Sequence, residues 1–145
     1  MKFFTLLMLA LLTTNVANAD FNKPAKEMYA NGQVKKEFNY KPNKKDALYK
    51  EYRENGKVKF EANFKDNKRH GVSKSFFENG KVGMEENYKE GLRDGPFKAY
   101  HENGKIKYET NFKNGQIDGW SIMYDENGQV KDKAYFKNGV PQEGM

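Results

Sequence analysis

The chain contains no cysteine. That excludes a disulfide framework, a thiolate metal centre and a cysteine nucleophile. It also excludes the lipid-bearing thiol of a bacterial lipoprotein. Histidine is scarce: His70 and His101 are the two copies, 31 residues apart, which matches no short metal-ligand spacing. Each reads as a turn or tolerated strand position. Proline occurs four times and tryptophan once. Hydrophobic residues make up 37% and mean hydropathy is −1.04, too polar for a thick two-layer core. Yet 14% of the residues are aromatic, too many for simple disorder. A thin repeat array reconciles the two, because each unit buries its apolar face only against its neighbours.

Long apolar runs are absent apart from one near the start, Phe3 to Leu12, broken by Thr5. Lys2 precedes it and Ala17-Asn18-Ala19 follows. Segment 1–19 therefore reads as a secretory signal cleaved between Ala19 and Asp20. A run of about ten residues is too short to span a bilayer. The expectation is an exported protein, periplasmic or secreted, with no transmembrane segment in its mature chain. The formal net charge is +6, and removal of Lys2 leaves about +5. Lys and Glu alternate finely, giving a mixed, solvated surface rather than one basic face. That disfavours nucleic acid and makes attraction to a membrane surface weak.

What is abundant is a period. Asn-Gly recurs at residues 31, 55, 79, 103 and 127, every step being 24 residues. Asn-Gly between alternating apolar residues predicts a two-residue hairpin turn of the mirror type, with φ > 0 at both central positions. A second turn recurs as Asp66-Asn67, Glu90-Gly91, Asn114-Gly115 and Asn138-Gly139, and Gly71, Gly95 and Gly119 open the hairpins. The first unit has Ala47 and Pro42-Asn43 instead, so its geometry should differ. Residues 20–27 are expected to form a lead-in cap, and 28–145 an array of about five units, the first and last atypical.

The return strands alternate. Columns headed by Val58, Phe60 and Phe64 are expected on one face, and columns headed by Lys59, Glu61 and Asn63 on the other. A turn centred on Asn55-Gly56 pairs Glu54 with Lys57 and Lys50 with Glu61, and the next two hairpins repeat this with Lys74–Glu85 and Lys98–Glu109. Opposite charges across a ladder contribute roughly 0.2–1 kcal/mol each and pin the register. The last hairpin departs, with Ile122 facing Lys133. The first strands carry an aromatic column, Tyr52, Phe76, Tyr100 and Tyr124, expected opposite Lys59, Gly83, Lys107 and Lys131.

The stretches Glu78 to Tyr100 (ENGKVGMEENYKEGLRDGPFKAY) and Glu102 to Tyr124 (ENGKIKYETNFKNGQIDGWSIMY) resemble the MORN repeat in its bacterial variant form. The resemblance implies an all-β fold: tandem antiparallel hairpins, side by side in one elongated, curved, single-layer sheet. Exported bacterial proteins built wholly of such units resemble the YwqK-type family, often labelled antitoxins, which implies an antitoxin or immunity role as one reading. MORN repeats also accompany lipid-kinase domains, but no phosphate loop or catalytic-loop signature occurs here.

No catalytic constellation is visible. Each Glu of the strand column has a cross-strand Lys, and Ser73, Ser75 and Ser121 have no base beside them, so no enzyme activity, cofactor or metal is expected. The binding candidates are the aromatic column Tyr52, Phe76, Tyr100 and Tyr124 with Lys59 and Lys107, because rings beside cations suit glycans or anionic head groups. The same column also fits a packing ladder on a thin sheet. Trp120 replaces Leu48, Val72 and Pro96 and reads as a ligand contact or as a cap on the last hairpin. The leading expectation is a scaffold for a protein partner; the alternatives are an envelope glycan or anionic-lipid module and an antitoxin or immunity protein.

Overall fold

The computed structural model describes residues 25–41 and 45–143. The expected signal segment with Ala19 and Asp20, the first part of the lead-in and the Pro42-Asn43 turn lie outside the described residues. All regular structure described is strand: β1 (Ala25–Met28), β2 (Val34–Tyr40), β3 (Ala47–Tyr52), β4 (Val58–Lys65), β5 (Lys68–Phe76), β6 (Val82–Lys89), β7 (Leu92–Tyr100), β8 (Ile106–Lys113), β9 (Gln116–Ile117), β10 (Gly119–Tyr124), β11 (Val130–Lys137) and β12 (Val140–Gln142). They form one antiparallel sheet in chain order, with the short β9 continuing alongside β8 before β10 takes over. Residues 25–27 of the expected cap are part of β1.

The two turn types are exchanged relative to expectation. At the Asn-Gly turns only the glycine has positive φ, 80° to 91°. Gly56 N–H donates to the Arg53 carbonyl at 2.9 Å, and Arg53 N–H donates to that of Lys57 at 2.8 Å. The loop is thus three residues, Glu54-Asn55-Gly56, a tight turn followed by a left-handed glycine. Asparagine is there for its side chain. Its Oδ1 accepts the N–H two residues on: Lys57 at 3.1 Å, and Lys81 and Lys105 at 2.9 Å. The mirror-type two-residue turn is the second one, where both central residues have positive φ, as at Glu90 (51°) and Gly91 (87°).

The longer loop shifts the register near the turn. Lys50 faces Glu61 as expected, and Lys74–Glu85 and Lys98–Glu109 repeat it. Glu54, however, lies in the loop and forms no rung. Tyr52 faces Val58 while Glu51 faces Phe60, so Lys59 is an extra, bulged residue. Gly83 and Lys107 stand at the same bulge. Directly opposed residues share a face, so the Val58 column joins the Tyr52 column instead of the Phe60 column.

A second irregularity explains the hairpin-opening glycines. Glu86 faces Phe97 but Tyr88 faces Arg93, so residues 94–96 oppose Asn87 alone. Asn87 Nδ2 spans the gap and donates to the Pro96 carbonyl at 2.8 Å; Asn63 does the same to Val72 at 3.0 Å. Gly95 has φ +110°, and a Cβ there would meet the Asn87 Cβ at 3.2 Å. The bulge also accommodates Pro96 within an interior strand. Ala47 lies in a regular ladder and is 3% exposed.

One row of side chains crosses the sheet at its most buried level: Phe38, Tyr49, Ala62, Ser73, Glu86, Phe97 and Thr110, each opposite the next. Ser121 and Ala134 face each other beyond them. Phe38, Tyr49 and Ala62 form the apolar cluster, flanked by Tyr40, Phe60 and Phe64. Further along, Thr110 and Ser121 share a hydrogen bond of 2.8 Å.

Candidate interaction surfaces

The aromatic column ties repeats together. Tyr100 donates to Glu85 at 3.1 Å and Tyr124 to Glu109 at 2.6 Å, each carboxylate lying in the preceding hairpin; Tyr52 reaches Glu37 likewise. Burial, then the Glu37 carboxylate, pushes the Tyr52 hydroxyl up to about 12. In return the Tyr52 hydroxyl holds Glu37 below the ordinary carboxylate value. Glu85 is lowered first by Lys74, 2.9 Å away, with Tyr100 adding to it. Phe76 occupies the same column without a hydroxyl.

The lysines expected beside these rings are not beside them. The Lys59 ammonium lies 2.9 Å from Glu51, whose other oxygen accepts from the core residue Tyr49 at 3.4 Å. The bulge turns Lys59 onto the core face, away from Tyr52, and Lys107 has the same bulge position. The structure therefore divides the expected set of Tyr52, Phe76, Tyr100, Tyr124, Lys59 and Lys107 between two faces.

Trp120 stands on the Tyr face, 39% exposed, opposite Tyr135. Their rings meet edge to face at 5.4 Å, and the Lys133 ammonium lies 5.1 Å from the indole. In earlier hairpins the residue at the Tyr135 position is an Asn that bridges the next bulge. Here the following strand, β12, is regular, and a ring replaces that Asn. Ile122 faces Lys133, which ends the Lys–Glu row. This hairpin thus exposes Trp120, with Val130 (57% exposed) beyond it.

The two histidines are apart. His101 donates from Nε2 to the Tyr124 carbonyl at 3.1 Å. One and three units earlier in the same column, Arg53 donates to the Phe76 carbonyl at 2.7 Å and Tyr29 to that of Tyr52 at 2.7 Å. Three different side chains at one repeat position perform one task, a bond to the next hairpin's backbone. Phe77 shares the column and cannot donate; it packs over Gly83, where an added Cβ would meet its ring at 3.3 Å. His70 faces Glu90 at 3.8 Å. Among the described residues no three His, Cys, Asp or Glu gather as a metal site would require, and no helix is long and apolar enough to cross a membrane.

Sequence periodicity misses a cluster on the core face. Glu86, 3% exposed, stands in the row that carries Phe38, Ala62, Thr110 and Ala134 in the other units. Arg93 Nε donates to its Oε2 at 2.9 Å, and Arg69 Nη1 lies 3.6 Å from Oε1. Tyr88 donates to Glu86 at 3.0 Å and accepts from Arg69 at 2.8 Å. The guanidinium of Arg69 lies 5.4 Å and 4.9 Å from the Phe60 and Tyr88 ring centres; that of Arg93 lies 6.0 Å and 5.3 Å from Phe97 and Phe112. Burial works against the Arg93 charge, but Glu86 and Tyr88 outweigh it and raise its pKa. The available signal was an acidic residue at an apolar repeat position with Arg on each flank.

Consecutive hairpins in one single-layer sheet, with both turns and both bulges recurring at one step, define a hairpin-repeat protein. The chain belongs to the MORN repeat variant family, which matches residues 22–41, 45–66, 69–90, 93–114 and 118–138. Such repeats serve in contacts with proteins or membrane lipids. No curated protein matches. Among solved structures the chain is similar to part of the GtfA/B complex (14% identity, TM-score 0.46, covering 86% of this chain and 22% of that one). It is also similar to part of TarM (16% identity, TM-score 0.43, 95% and 24%) and of accessory secretory protein 1,2 and 3 in Streptococcus pneumoniae (16%, TM-score 0.27, 83% and 21%). The chain spans less than a quarter of the length of each.

Proposed function

We propose that this chain is a non-enzymatic, exported scaffold that presents its sheet to a protein partner. The observation that carries this reading is the last hairpin, where the self-satisfied Lys–Glu row stops and an exposed Trp120 with Tyr135 and Lys133 takes its place. Trp and Tyr dominate interface hot spots because a large ring loses little entropy when it docks. Export rests on the leader-like segment 1–19. The absence of assigned catalysis rests on the use of His101 and the Glu column as ties between hairpins. In-cell crosslinking of the mature form, followed by mass spectrometry, tests it. A specific envelope protein crosslinked near residue 120, and lost at least ~10-fold in Trp120→Ala, is the expected result. Crosslinks that are diffuse, or unchanged in that variant, overturn it.

A second reading is a module for envelope glycan or anionic lipid, favoured by the edge-to-face Trp120–Tyr135 pair beside a cation. Unchanged retention of Trp120→Ala on such ligands removes it. The antitoxin or immunity reading requires that the crosslinked partner be toxic when produced alone.

A further inference from the structure

The middle of the opposite face carries a feature that the fold does not need. At the position of Glu86 the same backbone is built with Phe38, Ala62, Thr110 and Ala134 in the sibling units. A buried ion cluster is no more stable than well-packed apolar residues of similar volume, since desolvation offsets the attraction. Four siblings demonstrate the apolar or neutral solution within this chain.

We propose that Arg69, Glu86 and Arg93 form a preorganised seat for a carboxylate side chain of a partner protein, carried on an acidic segment with apolar neighbours. The charge count motivates it: two guanidiniums share one carboxylate. On this face the central strands β5 to β8 supply no other acid; the residues there are Ser73, Ser75, Met84, Tyr88, Phe97, Ala99, Tyr108, Thr110 and Phe112. The seat is thus one positive charge in excess. Arg93 meets Glu86 through Nε, while its side chain remains 45% exposed. Glu86 acts as a positioning residue that holds the guanidinium planes on the rings of Phe60, Tyr88, Phe97 and Phe112. Guanidiniums fixed in this way lose little freedom on binding, and their planar fork matches a carboxylate. The surrounding rings and Met84 offer an apolar rim, which selects acidic residues with apolar neighbours over plain acidic runs.

The test is an NMR titration of the full chain, read at the Arg93 Nε–Hε resonance. The probe is a short capped peptide of alternating Phe and Glu, with the Gln-for-Glu peptide and inorganic phosphate as separate arms. Saturable binding of the Glu peptide is expected, at least ~10-fold tighter than the Gln peptide. Arg93→Met and Arg69→Met, which retain much of the packing volume, should each weaken it about 10-fold, and Glu86→Gln should tighten it by removing the competing charge. Arg93→Lys keeps a cation on a similar stem and should recover part of the affinity if Arg93→Met fails to fold. Trp120→Ala should leave this titration unchanged, which separates failure here from failure of the proposed partner surface. Equal binding of Gln and Glu peptides, indifference to Arg93→Met or Arg93→Lys, or phosphate binding as tightly as the peptide would overturn the proposal.

Discussion

At one end of the buried row stand Phe38, Tyr49 and Ala62; in its middle stand Ser73 and Glu86. The backbone pairing is the same in both regions, but what secures it differs. The apolar end is held by ring packing, with Phe38 and Tyr49 centred 4.7 Å apart. In the middle the Glu86 network fills the row, and the recurrent bonds at the edges hold the strands. A repeat architecture fixes backbone bonding in every unit, and so leaves each unit free to differ in what it buries.

The sharpest way to break this comparison is to empty the apolar end. Phe38→Ala should cost about 3–5 kcal/mol, since the ring is nearly buried and its neighbours stand on separate strands that cannot all close in. Thr110→Ala, at the sibling position, should cost only about 1 kcal/mol for its hydrogen bond to Ser121. Urea unfolding of both variants checks the ratio. Equal losses would mean that the two regions are held alike.

Next comes the ionic middle. Glu86→Ala leaves two guanidiniums facing each other and should cost about 2–3 kcal/mol, below the fully buried range because Arg93 is half exposed. Replacing all three residues together, as Arg69→Met, Glu86→Ala and Arg93→Ile, should restore stability to the level of the parent or above it. Thermal melts of the single and triple variants decide this. A triple variant as unstable as Glu86→Ala would show that the network secures the fold.

Much of this was legible in the sequence. The 24-residue step gives the hairpin count and strand order, and the Lys–Glu pairs give the register through the middle of each hairpin. The turns were misread because Asn-Gly satisfies two geometries. A mirror turn uses asparagine for positive φ, while the three-residue loop uses its Oδ1 as an acceptor, and composition alone does not separate them. That one added loop residue creates the bulge at Lys59, moves Val58 to the other face and parts Lys59 from Tyr52. Strict alternation cannot anticipate a bulge. The Glu86 cluster was obscure for a different reason: column 38, 62, 86, 110 and 134 mixes Phe, Ala, Glu and Thr, so it displays no hydrophobic period although it is the most buried row.

Glycine substitutions test whether bulges are equally strict across the array. Gly95→Ala should cost about 2 kcal/mol, combining strain at φ +110° with the 3.2 Å approach to Asn87. Gly80→Ala, with φ +83° and nothing within 4 Å, should carry the conformational part alone, about 1 kcal/mol. Chemical unfolding separates them, and a larger loss at Gly80 would contradict the close-approach account.

The smallest effect is electrostatic, and it sets the charged face against the apolar end. Glu27, Glu37 and Glu85 all have pKa values lowered from 4.5, by Lys35, Tyr52 and Lys74 first in turn. A lowered carboxylate contributes stability that is fully present above its unfolded value and is lost as pH falls through its folded value. Stability should therefore fall on acidification from about pH 4.5 downward. Tyr52, raised from 10.0 to about 12, has the opposite sign. Its contribution is full below pH 10 and is lost as pH rises towards 12. Lys74→Met should flatten the acid limb by roughly 0.2–1 kcal/mol, because its pair with Glu85 is part exposed. Phe38→Ala should lower the whole pH profile and leave its slope unchanged, since no titrating group contacts that ring closely except Tyr49, whose hydroxyl is raised further out of range by burial. Melting temperatures between pH 7 and pH 3 distinguish a change of slope from a change of height. A change of slope in Phe38→Ala would mean that the apolar end and the charged row do not act independently.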